Sequence, residues 1–286
     1  MLEQTGLVLE GGGMRGTYTA GVLDYFHDED ITFPYVIGAS AGASVGSSYI
    51  SRQRGRNYKV LVEYGEHPEY ISFKRWFKNK ELFGMDFIFD ILPKKLVPFD
   101  FETFFETKIK FVVGATDITT GEAVYFNEFH NQNDLLQVIR ASSSLPLLAP
   151  SIHIQGKELL DGGIADPIPI QPSINAGNKK HVVVLTRNPG YVKKAMKFSW
   201  LFSRTYKDHP KLIKAIATRH LKYNQTIAKI EEMEKNGEVL VIRPQAPLHV
   251  SRIERNREKL HALYLQGYKE AESYRNRLRE FLDLET

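Results

Sequence analysis

The feature that most constrains this chain is a strand–turn–helix pattern that occurs twice in its first fifty residues. Leu7-Val8-Leu9 is a short apolar run ending in Glu10-Gly11-Gly12-Gly13, and apolar residues then recur at near-helical spacing at Ala20, Val22, Leu23 and Phe26. Tyr35-Val36-Ile37 is a second such run. It ends in Gly38-Ala39-Ser40-Ala41-Gly42 and leads into small residues through about Ser51. Strands with no polar alternation are covered on both faces, and strands that each feed a helix belong to a parallel sheet. Further along, hairpins are predicted over 109–127 and 152–160, a short helix over 135–141, and buried strands at 182–185 and 239–242. Helical periodicity covers 211–235 and 251–283. Residues 65–105, dense in Phe, Trp, Ile and Leu, predict short helices and loops beside the sheet, either a satellite core cluster or a substrate-facing cap.

Composition narrows the chemistry. The 286 residues contain no cysteine, which excludes disulfide scaffolds, thiolate zinc sites and a cysteine nucleophile. The formal net charge of +4 is unevenly placed, at −5 over residues 1–186 and +9 over residues 187–286. No charged segment followed by an apolar one opens the chain, and no apolar stretch approaches about 18 residues. The expectation is a cytoplasmic protein, in peripheral contact with the inner face of the membrane.

Two turns carry the candidate chemistry. Gly11-Gly12-Gly13-Met14-Arg15-Gly16 follows a strand and opens a helix, so backbone N–H groups can converge there on a phosphate or on the oxyanion of an acyl transfer. The spacing of Gly11, Gly13 and Gly16 also matches a dinucleotide fingerprint. However, Glu29 and Asp30 precede the second strand, and that strand ends in Gly38-Ala39-Ser40, which offers a ribose no carboxylate. Gly38-Ala39-Ser40-Ala41-Gly42 fits the nucleophile elbow Gly-x-Ser-x-Gly, in which tiny neighbours let a serine sit on a strained strand-to-helix turn. A small-residue turn packed under a neighbour is the structural alternative.

A serine nucleophile needs a base. Asp161 follows Leu159-Leu160 and precedes Gly162-Gly163, which places it accessibly at a strand end. The downstream histidines 181, 209, 220, 249 and 261 sit at a strand start or in basic and helical segments. The residues alone leave both kinds of base open, and a turn role for Asp161 as well. Asp117 and Asp166 read as turn or capping residues. No metal-ligating spacing is present, and the proposed chemistry needs neither metal nor cofactor.

The glycine turn, the elbow about 25 residues later and the distal Asp161-Gly162-Gly163 together resemble the bacterial patatin-like phospholipases. Ser142-Ser143-Ser144-Leu145-Pro146 is similar to that family's small-residue block before the Asp strand. The resemblance covers about residues 6–188 as a catalytic domain, with 65–105 as a cap. It is weaker over 189–286, a basic and mainly helical region with one strand near 239–243. It implies a three-layer α/β/α sandwich with a mostly parallel central sheet and a helical C-terminal extension. It also implies a serine acyl hydrolase of phospholipase A or lysophospholipase type. In that family pattern Ser40 is the nucleophile and Asp161 the base. Gly11, Gly12, Gly13, Met14, Arg15 and Gly16 build the oxyanion hole, and Gly38, Ala41 and Gly42 shape the elbow. The alternatives are a soluble carboxylesterase or thioesterase with the same dyad, and a non-catalytic lipid-binding regulatory protein.

Residues 191–210 interleave cations with aromatics. Lys197, Phe198, Trp200 and Phe202 suit contact with an anionic membrane surface; the structural reading is a helix whose aromatics pack on the catalytic domain. No nucleic-acid module motif accompanies them, so the expected partner is a phospholipid or other acyl ester. The sequence carries no signal of oligomeric state.

Overall fold

A computed structural model describes residues 4–196 and 199–284 of the chain. In chain order the elements are β1 (Thr5–Leu9), α1 (Gly16–Asp28), β2 (Tyr35–Ala39), α2 (Ala41–Ile50), α3 (Arg56–Tyr58), α4 (Phe73–Asn79) and α5 (Phe101–Glu106). There follow β3 (Lys110–Asp117), β4 (Ala123–Phe126), α6 (Gln132–Ser142), β5 (Ile152–Ile154), β6 (Lys157–Asp161), α7 (Ile170–Asn175) and β7 (Lys180–Val184). The chain continues through α8 (Ser199–Thr205), α9 (Pro210–Lys235), β8 (Val239–Ile242), α10 (Arg257–Ser273) and α11 (Arg275–Phe281).

The strands form one sheet in the order β5-β6-β3-β2-β1-β7-β8, with β4 also pairing β3. From β3 to β8 every neighbouring pair is parallel, whereas the pairs β3–β4, β3–β6 and β5–β6 are antiparallel. Alternation between two buried faces explains why the middles of those strands are apolar. Leu7 and Leu9, Val36, Val182 and Val184, and Leu240 and Ile242 join the large core on one face. Val8, Ile37, Val183, Val239 and Val241 join a second core on the other. Residues of α1, α2, α6 and α10 fill the first core, and Tyr223 and Ile230 of α9 with Ile170 of α7 fill the second. The sheet is mostly parallel, as the strand pattern predicts, and the fold is the three-layer α/β/α arrangement that the family resemblance implies.

Helix α10 lies along α1. The Tyr264 hydroxyl donates to Asp24 Oδ2 at 2.7 Å, and the Tyr18 hydroxyl to Glu270 Oε2 at 2.7 Å. The helical pattern of 251–283 resolves into two helices. Asn256 caps the first by accepting the Lys259 N–H, and the chain breaks at Tyr274 before α11. The chain leaves β1 for β2 on one side and later returns to β7 on the other. The crevice beyond the C-terminal ends of β1 and β7 is therefore a topological switch point, where open parallel sheets place their ligands.

Candidate active site

Ser40 stands between β2 and α2 with φ 56° and ψ −127°, a conformation that side chains other than glycine rarely adopt. Close packing holds it there. A Cβ on Gly42 would lie 2.4 Å from the Leu9 carbonyl oxygen, so only glycine lets α2 start this near β1. The Ser40 N–H donates to Ser142 Oγ at 2.8 Å, and that hydroxyl donates to the Gly114 carbonyl at 2.6 Å. Ser142 is fully buried at the end of α6 and therefore ties the elbow to β3.

Asp161 ends β6 beside this turn. The same serine block fixes it from the other side: the Asp161 N–H donates to the Ser144 carbonyl at 2.8 Å, and the Gly162 N–H to the Ser142 carbonyl at 3.1 Å. Its Oδ1 accepts the Gly163 N–H at 2.8 Å. Its Oδ2 is buried with no hydrogen-bond partner. Burial pushes the Asp161 carboxyl above the usual carboxylate range, opposed by the neighbouring Ser40 hydroxyl and by the Arg219 guanidinium. The serine thus sits against the carboxylate without a closed hydrogen bond, an arrangement common before a substrate tightens such contacts.

The glycine turn lies across from Ser40. Gly13 has φ +57°, and a Cβ there would come 2.6 Å from the Arg252 carbonyl oxygen. That carbonyl accepts the Met14 N–H at 3.1 Å. Among the described residues, the N–H groups of Gly12, Gly13 and Ala41 donate to no backbone acceptor. Arg15 is only 3% exposed, and its guanidinium is pulled down to about 10 by burial and by the nearby Arg252 and Arg187. Glu10, at the end of β1, accepts the Thr186 N–H at 2.6 Å and its hydroxyl at 3.0 Å, which links the ends of β1 and β7.

Ser40 opens into a largely apolar cavity of about 110 Å³. Met14 lines it from the glycine turn, Leu61 from the helical segment 59–63, and Phe83, Phe89 and Phe99 from the 65–105 region. No histidine lines it among the described residues. His181 sits near the start of β7, bonded to Ser173 at 3.1 Å and held down to about 4 by burial.

Asp117 takes the turn role: its Oδ1 accepts the N–H groups of Thr119 and Thr120. Asp166 does more than shape a turn, because its buried carboxylate accepts the Tyr125 hydroxyl at 2.5 Å. Of the residues expected at a membrane, Lys197 and Phe198 lie outside the described residues. Trp200 is 62% exposed on α8, whereas Phe202 packs inward against the cluster of Ile118, Leu160 and Leu212. Arg219 of α9 and Arg252 of the loop before α10 both border Asp161, and sequence reasoning passed over them. Periodicity reads them as surface cations, and only the packing of the chain's last quarter onto the sheet edge reveals them.

The sequence profile of the patatin-like phospholipases matches residues 7–174. The chain belongs to the patatin-like phospholipase family, a family of lipid acyl hydrolases. The matched span holds the elbow, the glycine turn and Asp161. A second profile, of a domain of unknown function, matches residues 209–283. An uncharacterized protein of Escherichia coli strain K12, YjjU, is 30% identical over 254 residues, covering 85% of this chain and 69% of its own length. The lysophospholipase NTE1 of Scheffersomyces stipitis is 26% identical over 264 residues, which span 85% of this chain but only 16% of that protein. Among solved structures, VipD from Legionella pneumophila aligns over 98% of this chain and 66% of its own, with a TM-score of 0.47 and 14% identity.

Proposed function

We propose that this patatin-like chain hydrolyses acyl esters of phospholipids or lysophospholipids through Ser40 and Asp161. The observation that carries the reading is Ser40 on a strained turn beside a buried carboxylate with one unpartnered oxygen, at the head of an apolar cavity. Ser40 Oγ attacks the ester carbonyl and its proton passes to Asp161 Oδ2. The oxyanion receives the free N–H groups of Gly12, Gly13 and Ala41, while the Met14 N–H is already engaged by Arg252. The C–O bond breaks and Asp161 returns the proton to the leaving alcohol. Water then gives a proton to Asp161 and attacks the acyl-serine; the bond from the acyl carbon to Ser40 Oγ breaks, the acid departs, and Asp161 returns the proton to Ser40 Oγ. A carboxyl raised by burial is a stronger base than an ordinary aspartate, which suits a partner for a weakly acidic hydroxyl.

The cavity's aromatic and aliphatic lining favours an acyl chain over a small polar acid. The exposed Trp200 is the membrane contact we propose from the expected set. The test is a fluorophosphonate probe followed by peptide mass analysis. Label is expected on Ser40 in the native chain and none in Ser40→Ala. Native protein without label at Ser40 refutes the nucleophile assignment. A panel of phospholipids, lysophospholipids and short soluble esters then fixes the substrate class.

A further inference from the structure

Five basic side chains gather on the Asp161 side of the site: Arg15 from the glycine turn, Arg187 and Lys193 from the loop after β7, Arg219 from α9, whose Nη2 would lie 3.4 Å from a Cβ on Gly163, and Arg252 from the loop before α10, whose Cβ would lie 3.2 Å from one on Gly13. Arg15 lies in the field of Arg252 and Arg187, and Lys193 in the field of Arg219, Arg252 and Arg15. The carboxylates in the same field are Glu10 and Asp161, and Glu10 is already occupied by Thr186. None of the five cations forms an ion pair among the described residues. The Nε atoms of Arg15 and Arg187 are buried and make no hydrogen bond. Arg187 and Lys193 instead face the rings of Tyr191 and Tyr223, at 4.4 and 4.6 Å from their centroids. Arg219 gives its Nε–H to the Gly163 carbonyl, next to Asp161.

Gathering like charges out of water is unfavourable unless something of opposite sign joins them. The deficit is visible in Lys193, whose ammonium is held below its usual range by burial and by its cationic neighbours. Guanidinium groups with free donors suit a phosphate above other common anions. We propose that Arg15, Arg187, Lys193, Arg219 and Arg252 form a phosphate-binding subsite on the Asp161 side of the site. The ligand chemistry is a phosphate mono- or dianion, supplied by the headgroup of an acyl-ester substrate or by free phosphate; the headgroup version rests on the hydrolase reading above. Four of the five residues lie beyond the 7–174 segment that defines the family, so the chain's last hundred residues supply most of this subsite.

The experiment uses Arg187→Gln, Lys193→Gln and the double variant. One arm follows thermal unfolding in sodium phosphate and in sodium chloride of equal ionic strength. The other compares kcat/KM for a lysophospholipid and for a monoacylglycerol with the same acyl chain. Phosphate is expected to raise the Tm of the native chain above its value in chloride, and the double variant should lose that rise. The kcat/KM ratio in favour of the phosphate-bearing substrate should fall at least tenfold in the double variant. Loss of the Tm effect with an unchanged ratio still supports the subsite and assigns it to free phosphate. Equal Tm in both salts together with an unchanged ratio overturns it. If the native chain cleaves neither ester the hydrolase reading fails, and the Tm arm still decides the subsite. Removing a cation from this cluster relieves repulsion, so the variants should fold and melt higher than the native chain in chloride.

Discussion

Ser142→Ala is the sharpest single perturbation of the site that touches no reacting atom. The hydroxyl accepts the Ser40 N–H at 2.8 Å and donates to the Gly114 carbonyl at 2.6 Å, all inside the protein. Alanine fills the same space and leaves two buried backbone groups unpaired. Each such group costs about 1–3 kcal/mol. The Gly114 oxygen keeps a second lone pair, so the lower half applies, about 2–4 kcal/mol in all. At about 2–4 °C per kcal/mol for a chain of this size, the Tm should fall by at least about 4 °C. Activity should fall further than unfolding explains, because the lost bond is one that holds Ser40 at its positive φ. The control is Ser143→Ala, whose hydroxyl makes only a 3.4 Å contact with Ser44 and which should move Tm by about 1 °C or less. Calorimetry and ester hydrolysis at a temperature where both variants are folded give the answer. A Ser142→Ala chain with native Tm and native kcat would refute the reasoning that this hydroxyl tensions the elbow.

Asp161→Asn should reduce hydrolysis by a thousandfold or more while raising Tm near neutral pH. The folded carboxyl titrates above its unfolded value, so the native chain loses stability as pH rises from the unfolded to the folded pKa; the variant's gain should therefore be full above the folded pKa and vanish below the unfolded one, as Tm measured against pH will reveal. For the same reason kcat/KM should climb with pH through a pKa above the ordinary aspartate range, and a profile flat there would count against Asp161 as base. Gly13→Ala places a methyl 2.6 Å from the Arg252 carbonyl at φ +57°, and should cost about 1–3 kcal/mol with a larger loss of activity, read by urea unfolding alongside hydrolysis. Trp200→Ser should weaken co-sedimentation with anionic liposomes and leave hydrolysis of a short soluble ester as it was; equal sedimentation would remove α8 from the membrane contact.

Much of the fold could be read because strand ends in this chain are written locally. Both elbows of the first fifty residues, the hairpin that turns on Gln155 and Gly156 at positive φ, and β8 at 239–242 follow from apolar runs and turn residues alone. Ser40 was legible for the same reason: the tiny residues that allow its conformation are its own neighbours. Asp161 needed the strand and the two glycines after it. What stayed hidden depends on contacts made across long stretches of chain. Ser142 looks like one small residue among three, and only the pairing of β2 with β3 shows that its hydroxyl bridges them. Arg252 and Arg219 carry no local mark, since a cation on a helix or loop reads as solvated until another element buries it. The Met14 N–H could not be seen as engaged, because its acceptor comes from near the end of the chain.

That last contact has a bearing on biosynthesis. Met14 and Arg252 are 238 residues apart, yet one carbonyl joins them and seats Gly13 in its left-handed conformation. A ribosome that has released β1, the elbow and even Asp161 has not yet delivered the group that braces the glycine turn. The nascent chain thus carries Ser40, the proposed nucleophile, long before the glycine turn is braced. On the proposed mechanism, hydrolytic competence waits until residue 252 has been made and folded back onto the glycine turn.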